Sequence, residues 1–195
     1  MISSWRHALP MATTVRQHAF ADESRRNDRY LLVVAIINPG DLTRLRKLLR
    51  SLLLPGQKEV HFKKEDPSRR KAILSRLVEC GPVAHVYQRS CAAGEERARE
   101  DCLTALVLDL KAIKASRLVL DSREERDEHD LRTIRKVLGK APTTAPLVYE
   151  HMWGNQEELL WIADVVGWCY GAGGDWRRRV MPVVARAVDL DTWST

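Results

Sequence analysis

Residues 15–37 read VRQHAFADESRRNDRYLLVVAII, and this stretch decides the fold. Positions 15–23 have the pattern of a strand that ends in two acids, Asp22 and Glu23. Positions 29–37 are apolar and rich in β-branched residues, the pattern of a fully buried strand. Asn27 and Asp28 turn the chain between them, so the two strands form a hairpin. Side chains alternate along a strand, which sends Asp22 and Glu23 to opposite faces of the sheet. Asp22 is the one expected to meet a metal, with Glu23 an outer ligand or orienting group.

Outward from the hairpin, helices and strands alternate. Asn38, Pro39, Gly40 and Asp41 stop the second strand and open a helix whose leucines, from Leu42 to Leu52, recur at helical spacing as far as Pro55 and Gly56. Residues 59–63 form a short extended piece. Asp66 as N-cap and Pro67 at the first helical position start the next helix, which Gly81 closes. A strand is expected over 82–88, a long helix over 95–113, and a strand over 117–120 that runs into Asp121. A charged helix over 124–138 follows, then a loop marked by Gly139, Pro142 and Pro146, a strand over 147–150, and a helix over 157–170 that is apolar nearly all round. A shorter segment runs from 177 to 187. This order predicts one α/β domain, a mixed sheet of about five strands with helices on both faces, preceded by a flexible extension over 1–14.

The composition narrows the class. A chain of 195 residues can bury one sizeable core. No apolar run reaches the roughly 18 residues a membrane span requires, and residues 1–12 lack the pattern of a secretory signal, so a cytoplasmic location is expected. The four cysteines, Cys80, Cys91, Cys102 and Cys169, form no C-x-x-C pair and read as reduced thiols. A net charge of +6, with basic clusters at Arg25–Arg26, 69–71 and 177–179, favours polyanionic partners. Neither a dinucleotide fingerprint nor a phosphate-cradling glycine loop is present.

The candidate chemistry lies in acids set among apolar residues. Asp164 sits in the last apolar helix between Ala163 and Val165, with no polar face to solvate it. A buried ionised carboxylate costs about several kcal/mol unless a cation, an arginine or a proton compensates it. Asp121 ends a strand, where α/β sheets place ligands, and also suits a helix cap or a turn. Two carboxylates about 4 Å apart repel by roughly 4 kcal/mol, so convergence of Asp22, Asp121 and Asp164 calls for a cation. Oxygen donors select Mg²⁺ or Mn²⁺, whose pairs support phosphodiester hydrolysis. His61 and Glu59, in the segment Glu59-Val60-His61-Phe62, are further candidates: His61 as proton shuttle, shell ligand or phosphate contact, Glu59 as a carboxylate ligand. Glu150 and His151 come second. Among the tryptophans, Trp161 and Trp168 read as core, and Trp176 beside 177–179 as the one placed for nucleic acid.

These motifs resemble a bacterial family known as domain of unknown function 3800, itself similar to ribonuclease H-like nucleases of the RuvC type. The resemblance spans most of the chain. It rests on Asp22-Glu23-Ser24 between two strands, Glu59-Val60-His61-Phe62 before a basic helix, a strand ending at Asp121, and Ile162-Ala163-Asp164 in the last long helix. It implies a ribonuclease H-like fold and a two-metal site on Asp22, Asp121 and Asp164, with nucleic acid, DNA or RNA, as substrate. The chain departs from the family pattern at Arg25, where a glycine is usual, and at Trp161, where a glutamine is usual. A non-catalytic module binding nucleic acid or protein, and a phosphoesterase acting on small molecules, are the alternatives.

Overall fold

The computed structural model describes residues 16–139 and 147–192. The expected extension over 1–14 and the loop at Pro142 and Pro146 lie outside the described residues. Strands β1 (His18–Arg26), β2 (Arg29–Ile37), β3 (Val83–Ser90), β4 (Arg117–Asp121), β5 (Val148–Met152) and β6 (Val184–Asp189) form one sheet in the order β5-β4-β1-β2-β3-β6. β2 runs antiparallel to both β1 and β3, whereas β4 pairs parallel with β1 and β5, and β6 parallel with β3. Only β2 opposes the common direction.

Among the described residues the mixed sheet has six strands, one more than the five or so that the sequence marks. β6 lies at the sheet edge, where Ala185, Arg186 and Ala187 are exposed and only Val188 is buried, so it lacks the apolar alternation that marks a strand in sequence. β1 also runs farther than expected. Ser24, Arg25 and Arg26 stay paired with Leu31, Tyr30 and Arg29, and the chain reverses only at Asn27, whose φ of 53° suits a two-residue hairpin turn. The two acids therefore lie mid-strand. The extended piece expected over 59–63 instead tightens into a 3-10 turn, Phe62–Lys64, that buries Phe62.

Helices cover both faces. On one side lie α1 (Leu42–Ser51), α2 (Pro67–Cys80) and α5 (Leu160–Ala172), packed on Phe20, Leu31, Val33, Ala35 and Val119. On the other lie α3 (Glu95–Ala112) and α4 (Asp127–Leu138), packed on Ala19, Ala21, Leu32, Val34, Leu118 and Leu120. α5 crosses β1 and β2 and buries nine of its thirteen residues, and α6 (Gly174–Val180) follows it directly. Gly167 and Gly171 let α5 come close to the sheet. A Cβ at Gly167 would stand 3.1 Å from Ser24 Cβ, and one at Gly171 2.8 Å from Arg26 Cγ. No helix among the described residues is long and apolar enough to cross a membrane.

Candidate active site

Register and alternation bring the acids to one place. β1 and β4 are in parallel register up to Ala21–Leu120, so Asp22 and Asp121 follow side by side at the next step. Both share the parity of Phe20 and Val119, which face α5. Asp164 lies on the first turns of α5, one turn before Gly167 and on the side that approaches β1. All three carboxylates are partly buried.

Burial and mutual repulsion set their protonation. Asp22 is pushed well above the usual carboxylate range, first by burial and then by the charges of Asp164 and Asp121. Burial likewise raises Asp121 to about 6, with Glu59 and Asp164 adding to the rise and Arg123 opposing it. Asp164 is raised by burial, against the pull of a hydrogen bond that the Phe62 N–H donates to its Oδ2 at 3.0 Å. That bond ties the turn after His61 to α5, which is why Phe62 must be buried there.

Glu59 and His61 form the rim. His61 Nε2 lies 2.7 Å from Glu59 Oε1, and both groups act electrostatically on Asp121 and Asp164. The opposite oxygen of Glu59 lies against Gly154, where a Cβ would stand 2.8 Å from Oε2. The Gly154 carbonyl in turn accepts the indole N–H of Trp161 at 2.7 Å. Trp161, buried on α5, thus holds the loop that backs Glu59.

The structure places Glu23 on the other face. It is paired with Arg99 and Arg123 and accepts the Tyr30 hydroxyl at 2.5 Å. Arg99 also donates to Asp130 through Nε and Nη2, at 2.8 and 2.5 Å, and to the Tyr30 hydroxyl at 2.8 Å. Burial would raise Asp130, but the hydrogen bonds from Arg99 and His151 hold it below the usual carboxylate range. His151, half-buried, lies 3.1 Å from Asp130 Oδ2, and Glu150 pairs with Arg117, so neither joins the three aspartates.

Two arginines of this arrangement escaped the sequence reading. Arg99 falls three and four residues before the buried Cys102 and Leu103, on the apolar stripe of α3, and a lone charge at that spacing was the available signal. Arg123 follows Asp121 by two residues and had no such mark. Its backbone N–H and the Ser122 hydroxyl bind Asp127, at 2.9 and 2.7 Å, which fixes the turn after β4. Asp121 accordingly ends a strand and does not cap α4, which begins only at Asp127. Held by Glu23, the Arg123 guanidinium favours the ionised forms of both Asp22 and Asp121.

No family model matches the chain, and no curated protein matches it in sequence. Solved structures do. A chain in the PCNA:RNase HII complex from Archaeoglobus fulgidus superposes with a TM-score of 0.54 at 18% identity, covering 85% of this chain and 86% of that one. The fold is ribonuclease H-like. Bst-RNase HIII in complex with Mn²⁺ is also similar, with a TM-score of 0.46 and 12% identity over 85% of this chain and 57% of that one. On this ribonuclease H-like sheet, Asp22 and Asp121 occupy the adjacent central strands β1 and β4, beneath Asp164.

Oxygen donors, partial burial and raised protonation are what a hard divalent cation would relieve. Among the described residues, however, no three His, Cys, Asp or Glu side chains close on a common point. The donor chemistry fits such an ion. Asp22 Oδ1 accepts the N–H of Glu23 at 2.7 Å, while Asp164 Oδ2 is held by Phe62.

Proposed function

We propose that this chain is a divalent-metal-dependent nuclease that hydrolyses phosphodiester bonds of DNA or RNA and belongs to the family designated domain of unknown function 3800. The observation that carries this reading is the placement of Asp22 and Asp121 side by side on adjacent strands, facing Asp164 on α5, with the protonation of all three raised first by burial and that of Asp22 also by the other two. A ribonuclease H-like fold shared with an RNase HII structure supports it.

In this reading Asp22, Asp121 and Asp164 hold Mg²⁺ or Mn²⁺, with Glu59 as a further oxygen ligand. When bound, the metal makes a water more acidic and stabilises charge on the phosphoryl group and the leaving oxygen. The protein does the rest. The Phe62 N–H fixes Asp164 so that Oδ1 is presented. Arg123, which favours the ionised forms of Asp22 and Asp121, is positioned by Glu23, itself held by Arg99 and Tyr30. His61 at the rim, its Nε2 2.7 Å from Glu59 Oε1, is the group placed to exchange a proton with the departing oxygen.

The test is cleavage of labelled DNA, RNA and hybrid duplexes with Mg²⁺ or Mn²⁺, comparing the parent with Asp22→Asn and Asp164→Asn. Cleavage by the parent and its loss in both folded variants is the expected result. A folded Asp164→Asn protein that cuts as fast as the parent would put the reaction elsewhere.

A further inference from the structure

Beside Asp164 lies a cluster of aromatic rings and guanidinium groups that the carboxylates do not use. Phe62, Trp168 and Trp176 meet edge to face, with ring centroids 5.3 Å apart for Phe62–Trp168, 6.3 Å for Phe62–Trp176 and 5.3 Å for Trp168–Trp176. Two arginines from different elements converge on Trp168. Arg26, at the end of β1, has its guanidinium carbon 5.0 Å from the ring centroid, and Arg70, in the first turns of α2, 4.6 Å. Trp168, which the sequence marked as core, thus bears two guanidinium groups, and Trp176, read as the tryptophan placed for nucleic acid, is engaged by its neighbours.

The charge of this pair is unanswered. Arg25 is paired with Glu95, Arg69 with Glu65, and Arg178 and Arg179 both with Asp175. Neither Arg26 nor Arg70 is paired with a carboxylate among the described residues. Arg70 gives Nη2 to the Lys63 carbonyl at 3.2 Å, while its Nε is buried with no acceptor. Lys63 and Lys64, in the turn that carries Phe62, add further positive charge. Guanidinium groups held on an indole face with no carboxylate partner keep planar forks of donors, which match phosphate oxygens in pairs. The cluster adjoins the site: Phe62 donates to Asp164, and Trp168 lies one turn farther along α5.

We propose that Arg26 and Arg70, held against Trp168, seat a backbone phosphate of a polynucleotide strand on the Asp164 side of the site. This rests on the nuclease reading for its purpose, though the binding itself is independent of cleavage. The sequence cluster at 177–179 contributes less, because Asp175 answers two of its three charges.

The experiment is fluorescence anisotropy of labelled 20-nucleotide single strands and duplexes with the full chain, in EDTA, from about 50 to 200 mM salt. Arg26→Gln/Arg70→Gln is compared with the parent and with Arg178→Gln/Arg179→Gln. The expected result is at least tenfold weaker binding by the first double variant. Its log–log salt slope should also be shallower by about 0.7 to 0.9 for each phosphate no longer neutralised. The second double variant should bind like the parent. Thermal unfolding establishes that the variants are folded, and Arg26→Lys/Arg70→Lys should restore the slope if charge, and not packing, is responsible.

Three results would overturn the proposal: a parent that binds no polynucleotide, a Gln pair with unchanged affinity and slope, or a Lys pair that fails to restore the slope. The two readings fail separately. A parent that binds through Arg26 and Arg70 but cuts nothing keeps this seat and loses the nuclease. A parent whose cleavage depends on Asp164 while the Gln pair binds normally does the reverse.

Discussion

Replacing Asp121 by asparagine should make the metal-free protein more stable. Asp121 titrates at about 6 in the fold, against the ordinary value of 3.8, with burial the leading cause. A raised carboxylate pKa means that the native state binds the proton more tightly than the unfolded chain. Its benefit is full below about pH 4, declines as the pH rises, and is gone above about 6, leaving the ionised carboxylate as a net cost. At about 1.4 kcal/mol per pH unit the cost is about 3 kcal/mol at most, and water at this partly exposed position reduces it to about 1–2 kcal/mol. For a chain of this size that corresponds to a rise in Tm of about 2–8 °C. The assay is thermal unfolding in EDTA at pH 4 and pH 8. Asp121→Asn should exceed the parent at pH 8 and match it at pH 4. Adding Mn²⁺ at pH 8 should raise the parent's Tm and leave the variant little changed. A variant less stable than the parent at pH 8, or a gain of equal size at both pH values, would refute the electrostatic account. Equal stabilisation of both proteins by Mn²⁺ would remove Asp121 from the metal site.

Other expectations use different readouts. Arg99→Met leaves Glu23 and Asp130 without their shared buried partner and should destabilise the fold by about 3–5 kcal/mol, measured by urea unfolding. Gly154→Ala should keep stability within about 1 kcal/mol, since the end of the Glu59 side chain can yield. The same variant should lower Mn²⁺ affinity severalfold by calorimetry if Glu59 is a ligand. In the parent, Mn²⁺ affinity should climb with pH through about 6 as Asp121 loses its proton, with the raised Asp22 adding to the climb, which calorimetry at several pH values tests.

Much of this arrangement was written in the sequence, and the parts that were not have physical reasons. Asp164 stood out because an acid in a helix apolar on every side has no solvent to turn to. The opposite facing of Asp22 and Glu23 followed from strand alternation alone. What alternation could not supply was the partner of Glu23: Arg99 comes from α3 and Arg123 from the β4–α4 turn, joined only by the folded sheet. The continuation of β1 through Ser24, Arg25 and Arg26 was hidden because polar residues near a hairpin turn pair as well as apolar ones. β6 was hidden because an exposed edge strand has only one face to bury. Arg26 and Arg70 on Trp168 are separated by more than forty residues and meet only where α5 lies close to the sheet.

The two-residue turn at Asn27 and Asp28 governs when the site takes shape as well as where. A hairpin with so short a connection closes in about microseconds, whereas pairing of β1 with β4 brings together segments about a hundred residues apart and comes later. The handedness of the acidic pair is thus decided while Asp121 and Asp164 are still remote. A one-residue slip of β1 against β2 would exchange the faces of Asp22 and Glu23.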